Sequence, residues 1–247
     1  MLADDGDRFS FTPRIWLTNM NVNFFEETPS ATGTDSKSEF HIPLQGATIT
    51  YAPKKLPGWD FLVTGLSGSG TANFTDALNE GNTDLKRLDI EILARRDIQG
   101  TTSKAVGGVR FINYTIEDRY GTPGQTFTDT GEVGRLTDIK LLFGEFGVSG
   151  FNNITSEGKH RVFWNAIGGL GYADADEPNN LESAGTSRKE SFIWTWDINI
   201  GYVYTINKNW GANVRYRSFG TPSDLADTDN DETVIIHGPE MGLTYHF

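Results

Sequence analysis

The chain has 247 residues, no cysteine, 37% hydrophobic residues and a formal net charge of −12. The lack of cysteine excludes disulfides and thiolate metal sites, and the acidic balance argues against nucleic acid as a partner, because phosphate binding needs a basic face. No run approaches the ~18–20 apolar residues of a transmembrane helix. Transmembrane strands remain open, since each needs only about ten residues with apolar side chains on one face.

The length suits one all-β domain, expected to span residues 1–247. Arg14–Phe25 reads as its first strand. Trp16, Thr18, Met20, Val22 and Phe24 form one row; Asn19, Asn21 and Asn23 form the other, which Ile15 and Leu17 begin. That is the strand period, not the helix period. The Trp16 row is expected to face outward. A polar Thr-Pro-Ser-Ala-Thr-Gly stretch follows as a loop.

Phe40–Tyr51 is the second strand. Phe40, Ile42 and Leu44 share a face, then Ala47, Ile49 and Tyr51 do. The phase slips near Gly46, which predicts a β-bulge. Pro43 counts against a regular central strand. Trp59–Gly68 is the third strand, and a long polar loop is expected from there through Asp84.

Leu85–Arg96 alternates Leu88, Ile90, Ile92 and Ala94 with Arg87, Asp89, Glu91 and Arg95. Charges of both signs on the polar row invite cross-strand pairing. Ala105–Ile116 is the fifth strand, with Val109 and Phe111 opposite Arg110. Glu117–Leu136 reads as a loop. Ile139–Val148 is the sixth strand, its phase blurred at Gly144 and Glu145. Arg161–Tyr172 sets Val162, Trp164, Ala166, Leu170 and Tyr172 against Arg161 and Asn165. A polar loop then runs to Glu190.

In the eighth strand Phe192, Trp194, Trp196, Ile198, Ile200, Tyr202 and Tyr204 form an unbroken apolar and aromatic row. At a rise of ~3.3 Å per residue and a tilt of ~40°, Trp194 and Tyr204 lie about 25 Å apart along a membrane normal. Strand nine, Trp210–Phe219, sets Ala212, Val214 and Tyr216 against Asn213, Arg215 and Arg217. The acidic loop Asp224–Glu232 leads to the last strand, Thr233–Phe247. There Met241, Leu243, Tyr245 and Phe247 alternate with Glu240, Gly242, Thr244 and His246.

An ending of alternating apolar residues closed by Phe247 resembles the final strand of Gram-negative outer-membrane β-barrels, of the small porin-like kind. The rest of the chain supports the resemblance: about ten strands, with long polar connections after odd strands and shorter ones after even strands. A soluble all-β barrel or sandwich is the alternative. The resemblance implies an up-and-down antiparallel barrel in the outer membrane, with long extracellular loops and short periplasmic turns. It also implies that the final strand is the signal read by the barrel assembly machinery, with lipid and lipopolysaccharide as surroundings. Such a barrel needs a signal peptide; none is visible at the start, so its prior removal is expected.

The expected lipid-facing aromatic girdle is Trp16, Trp164, Trp194, Trp196, Tyr202, Tyr204, Tyr245 and Phe247. The expected lumen-lining residues are Arg87, Asp89, Glu91, Arg95, Arg110, Arg161, Asp197, Arg215, Arg217 and Glu240, with Glu145 and His246 on the same rows. Two readings of that lining stand. A paired network closes the interior, or an Arg-lined pore passes small solutes and favours anions.

An outer-membrane hydrolase needs a rim histidine with a serine or carboxylates. His41 and His237 sit nearer the external rim, whereas His160 and His246 fall at the periplasmic end. No GxSxG motif is present, and the expectation is a non-enzymatic protein without a cofactor. Asp227, Asp229 and Asp231 alternate in an acidic loop that reads either as solvated or as a weak Ca²⁺ site. It lacks the EF-hand pattern. Three functions follow: a channel or plugged structural barrel, a surface-binding or adhesion protein using its long loops, and a rim enzyme.

Overall fold

The computed structural model describes residues 7–22, 38–75, 80–121, 133–177, 187–223 and 232–247. They form ten strands: β1 (Arg8–Val22), β2 (Ser38–Ala52), β3 (Trp59–Thr75), β4 (Glu80–Asp97), β5 (Ser103–Gly121), β6 (Val133–Asn153), β7 (His160–Glu177), β8 (Ser187–Thr205), β9 (Trp210–Ser223) and β10 (Glu232–His246). Each pairs antiparallel with its sequence neighbours, and β1 closes on β10. The result is a closed up-and-down barrel. Closure leaves no unpaired sheet edge.

The strands are longer than the hydrophobic pattern indicates. The expected loop through Asp84 is largely a hairpin, with β3 reaching Thr75 and β4 starting at Glu80. Thr71 and Asp84 pair across it, and the Thr71 hydroxyl donates to the Asp84 carboxylate at 2.5 Å. Glu117–Leu136 is likewise strand at both ends, since β5 runs to Gly121 and β6 begins at Val133. Backbone pairing continues there without an apolar row, so the alternation signal stops before the ladder does.

Near the chain termini, short turns join the strands at 53–58, 98–102, 154–159 and 206–209. Gly58 and Gly100 take φ of 81° and 79° there, a conformation that costs glycine little.

Two zones divide the barrel along its axis. In the half nearer the termini, apolar side chains face outward: Phe11 and Leu17, Ile49, Val63, Ile92, Val109, Phe146, Ile200, Val214 and Leu243 are all exposed. Thr12, Thr48 and Thr64 face inward and are buried. The far half reverses this polarity. Phe40, Ile42, Leu44, Leu85, Ile112, Leu141, Phe143 and Phe219 fill the interior. His41, Gln45, Ser67, Lys86 and Lys140 stand outside. The far half is built like a water-soluble barrel, and the near half like a barrel wrapped in hydrocarbon.

This reversal corrects the reading of β2. Its ladder with β1 is unbroken from Arg8↔Ala52 to Val22↔Ser38, so no bulge occurs at Gly46. The strand keeps its phase, and the apolar row moves from inside to outside as it crosses between zones. A register shift occurs instead at Asp118/Arg119, between β5 and β6. Pro43 stays in register with Leu17 of β1, but the β2–β3 register ends at Gln45↔Ser67, just before it.

The same reversal inverts β1. Trp16, Thr18 and Met20 point inward and are buried, while Phe9, Phe11 and Leu17 point outward. Trp16 is therefore no girdle residue. Its exposure is 0%, and its indole N–H donates to the Gly238 carbonyl at 3.2 Å.

Candidate functional site

The alternation of β4, β5, β8, β9 and β10 delivers charged side chains to one level of the interior. Arg110 lies at its centre. Its Nε and Nη2 donate to the two carboxylate oxygens of Asp89 at 2.8 and 2.7 Å, a bidentate pair. Its Nη1 donates to Asp197 at 2.8 Å and stands 3.5 Å from Glu145 and 3.8 Å from Glu91. Arg87 donates to Asp89 at 2.7 Å. Arg217 clasps Asp197 and reaches Glu91 at 3.5 Å and Glu240 at 3.6 Å. Arg14 and Arg215 each meet Glu240 at 2.6 Å.

The cluster thus joins five arginines, Arg14, Arg87, Arg110, Arg215 and Arg217, to five carboxylates, Asp89, Glu91, Glu145, Asp197 and Glu240. Its formal charges cancel inside a chain of net charge −12. Most of these side chains are nearly or wholly buried, Arg110 and Glu240 completely. Buried charges persist only when paired and hydrogen-bonded; every member of this set has an oppositely charged neighbour, drawn from seven strands, while Glu145 Oε2 and Arg215 Nε meet no hydrogen-bond partner among the described residues.

An aromatic layer sits on the charges. The Arg110 guanidinium lies 4.5 Å from the Phe219 ring centre, and that of Arg217 lies 4.8 Å from Trp16. Arg87 is 5.3–5.7 Å from Tyr114, Phe219 and Trp16. Its Nε and Nη1 meet no hydrogen-bond acceptor among the described residues; the ring faces take that role as cation–π partners. Phe143 stacks against Phe219 at 6.2 Å, and the apolar core continues beyond them. Below the charges, hydroxyls pair: Thr48 with Thr64 at 2.9 Å, and Arg14 Nε with Thr48 at 2.8 Å.

The sequence-predicted lumen residues all lie on inward rows, at two levels. Arg87, Asp89, Glu91, Arg110, Asp197, Arg215, Arg217 and Glu240 belong to the central cluster. Arg95 lies nearer the termini and donates to Asp60 at 2.5 Å. Arg161 reaches Thr205 at 3.3 Å. Sequence reasoning missed Arg14, Asp60 and Lys104, the last 2.9 Å from Asp60. A signal for Arg14 was present. It shares the parity of Trp16, and an arginine on a lipid-facing row costs ~2–4 kcal/mol at mid-band, so parity places both residues inside.

Of the remaining girdle residues, Trp194, Tyr204 and Phe247 are exposed on outward rows, and Trp164, Trp196, Tyr202 and Tyr245 are half-buried there. Trp164 and Trp196 lie flat over the cross-strand glycines Gly150 and Gly220, where an added Cβ would meet the rings at 2.6 and 2.3 Å. Ring pairs mark both edges of the apolar band. Tyr172 packs edge-on to Phe192 at 5.9 Å on the far side; Trp210, Tyr245 and Phe247 pack at 4.8–4.9 Å on the near side. His41 and His237 face outward at the register positions flanking Asn19. Asp227, Asp229 and Asp231 lie outside the described residues.

No protein-family model matches the chain, and no curated protein matches it. Solved structures do. The outer membrane protease OmpT from Escherichia coli aligns over 99% of this chain and 98% of its own, with a TM-score of 0.52 and 12% identity. The translocator domain of the autotransporter NalP from Neisseria meningitidis aligns over 98% and 88%, with a TM-score of 0.50 and 11% identity. The chain therefore has the fold of outer-membrane β-barrels: all-β, antiparallel and closed, with ten strands among the described residues. At these identities the likeness extends to the fold alone.

Proposed function

We propose that the chain is an integral outer-membrane β-barrel, non-enzymatic and closed to solutes. The carrying observation is the double filling of the lumen, a charge-balanced arginine–carboxylate layer beneath a packed apolar layer. In a ten-stranded barrel, whose lumen is narrow, such filling favours a closed interior. The outward apolar band of the near half sits in lipid, with both termini periplasmic. The far half, apolar inside and polar outside, stands clear of the membrane. Lipid and lipopolysaccharide surround the band, and the outward row Met241–Phe247 of β10 serves recognition by the assembly machinery.

The far half supports a second reading. A stem with its own apolar core stands above the lipid, which suits surface binding or adhesion. The non-enzymatic reading is supported by His41 and His237, which face outward and leave the lumen mouth without either imidazole.

Conductance across a planar bilayer tests the closed lumen, with insertion verified independently. Inserted protein is expected to be silent. Steady openings whose ion preference shifts on replacing Arg215 or Arg217 would replace this reading with a narrow channel.

A further inference from the structure

The outward apolar band is not uniformly convex. Across β1, β10, β9 and β8 it carries a groove of about 690 Å³, inside the ~300–1,000 Å³ range of small-ligand clefts. One wall is the row Ile15, Met241, Val214 and Tyr202; the other is Pro13, Leu243, Ala212 and Tyr204. A small residue makes the hollow: Ala212 projects only one methyl between larger side chains.

The groove overlies the seam that closes the barrel, and the seam is interrupted there. The β1–β10 register passes from Phe11↔Tyr245 to Arg14↔Gly242 without pairing Thr12 or Pro13. Pro13 has no N–H to give. The side-chain hydroxyls of Thr12 and Thr244 join across the gap at 2.9 Å instead.

The near-end lining of the groove, Tyr204 and Ala212, leads along β8 and β9 into the turn 206–209. That turn carries Lys208, exposed and in no ion pair among the described residues, and no carboxylate. Asn209 ties it to β10, since its backbone C=O accepts from the His246 N–H at 2.7 Å and its side-chain amide donates to the His246 carbonyl at 2.9 Å. Next to it, His160 Nδ1 and the Tyr202 hydroxyl are hydrogen-bonded, and the His160 ring lies 5.0 Å from that of Tyr204. An apolar trough ending at a cation and a polar aromatic edge has the chemistry of a phospholipid.

We infer that this groove is a specific lipid site: it holds one acyl chain of a periplasmic-leaflet phospholipid, whose phosphate lies beside Lys208. The inference rests on the membrane reading above. The lipid covers the interrupted seam with hydrocarbon.

Native mass spectrometry of the full chain in mild detergent tests it, with phosphatidylglycerol and uncharged diacylglycerol as probes. One phosphatidylglycerol is expected to be retained. Lys208→Gln should weaken its retention about fivefold, the effect of one cation near a phosphate. Ala212→Trp, which fills the trough, should abolish retention. Val214→Trp does the same from the other wall should the first variant misfold, folding being judged by resistance to heat on gel electrophoresis. Equal retention of both probes, or retention unchanged in folded trough variants, overturns the site. A dimer that these variants dissociate overturns it in favour of a second copy. Folded monomer stable in buffer without detergent removes the membrane reading itself, and the site with it.

Discussion

Arg110 on β5 and Asp197 on β8 meet across the lumen, Nη1 to Oδ2 at 2.8 Å, although 87 residues separate them in the chain. Three strands around the wall, the two are bridged only through the interior. Their contact reports closure of the barrel and filling of its lumen together.

Arg110→Met should therefore be severe. It strands Asp89 and Asp197 without their central cation, and breaking a buried pair costs roughly 3–5 kcal/mol. Denaturant unfolding in detergent, followed by tryptophan fluorescence, reads the loss. Adding Asp197→Asn should recover part of it, because the two residues share one network. Additive losses in the double variant would show that the pair is uncoupled.

Trp16 and Trp194 should respond oppositely to brominated acyl chains. Trp194 is 52% exposed on the outward row, whereas Trp16 is wholly buried inside. In single-tryptophan variants in lipid vesicles, Trp194 emission should be strongly quenched and Trp16 emission should persist. Equal quenching would put the Trp16 row back on the outer face.

Ile198→Lys should destabilise the inserted protein by about 2–4 kcal/mol, because Ile198 lies outward in the middle of the β8 row. A change of this kind in the far zone should be mild. Lys86 and Glu117 pair at 3.1 Å on the outer face of that zone, with Lys86 60% exposed, and exposed pairs contribute ~0–1 kcal/mol. Lys86→Gln should shift the unfolding midpoint little. A large shift would mean that the pair sits at a less hydrated level.

Trp16→Ala should cost roughly 3–5 kcal/mol by leaving a cavity above the arginine layer. Conductance should stay silent, since the charged layer beneath remains paired. Openings in this variant would identify the aromatic layer as the seal.

Much of this protein is legible before folding is considered. Period-two rows in β4, β7, β8, β9 and β10 define strands with their faces correctly sorted, because a strand with one apolar face carries its charges on the other. The row from Phe192 to Tyr204 and the ending at Phe247 carried the barrel reading, and the parity of Arg87, Asp89, Arg110, Asp197, Arg217 and Glu240 put them inside. Alternation, however, states only that a strand has two faces. Which face turns inward depends on what surrounds the barrel at that height, and this changes along the axis. Where strands leave the apolar band the polarity inverts, so the apolar rows of Trp16 and Phe40 lie inside while those of Ile49 and Phe192 lie outside. The apparent slip at Gly46 is that inversion met on a single strand. Closure decided the rest. Only with β1 against β10 does Arg14 join Arg215 on Glu240, and only then do charges scattered over seven strands cancel inside one lumen.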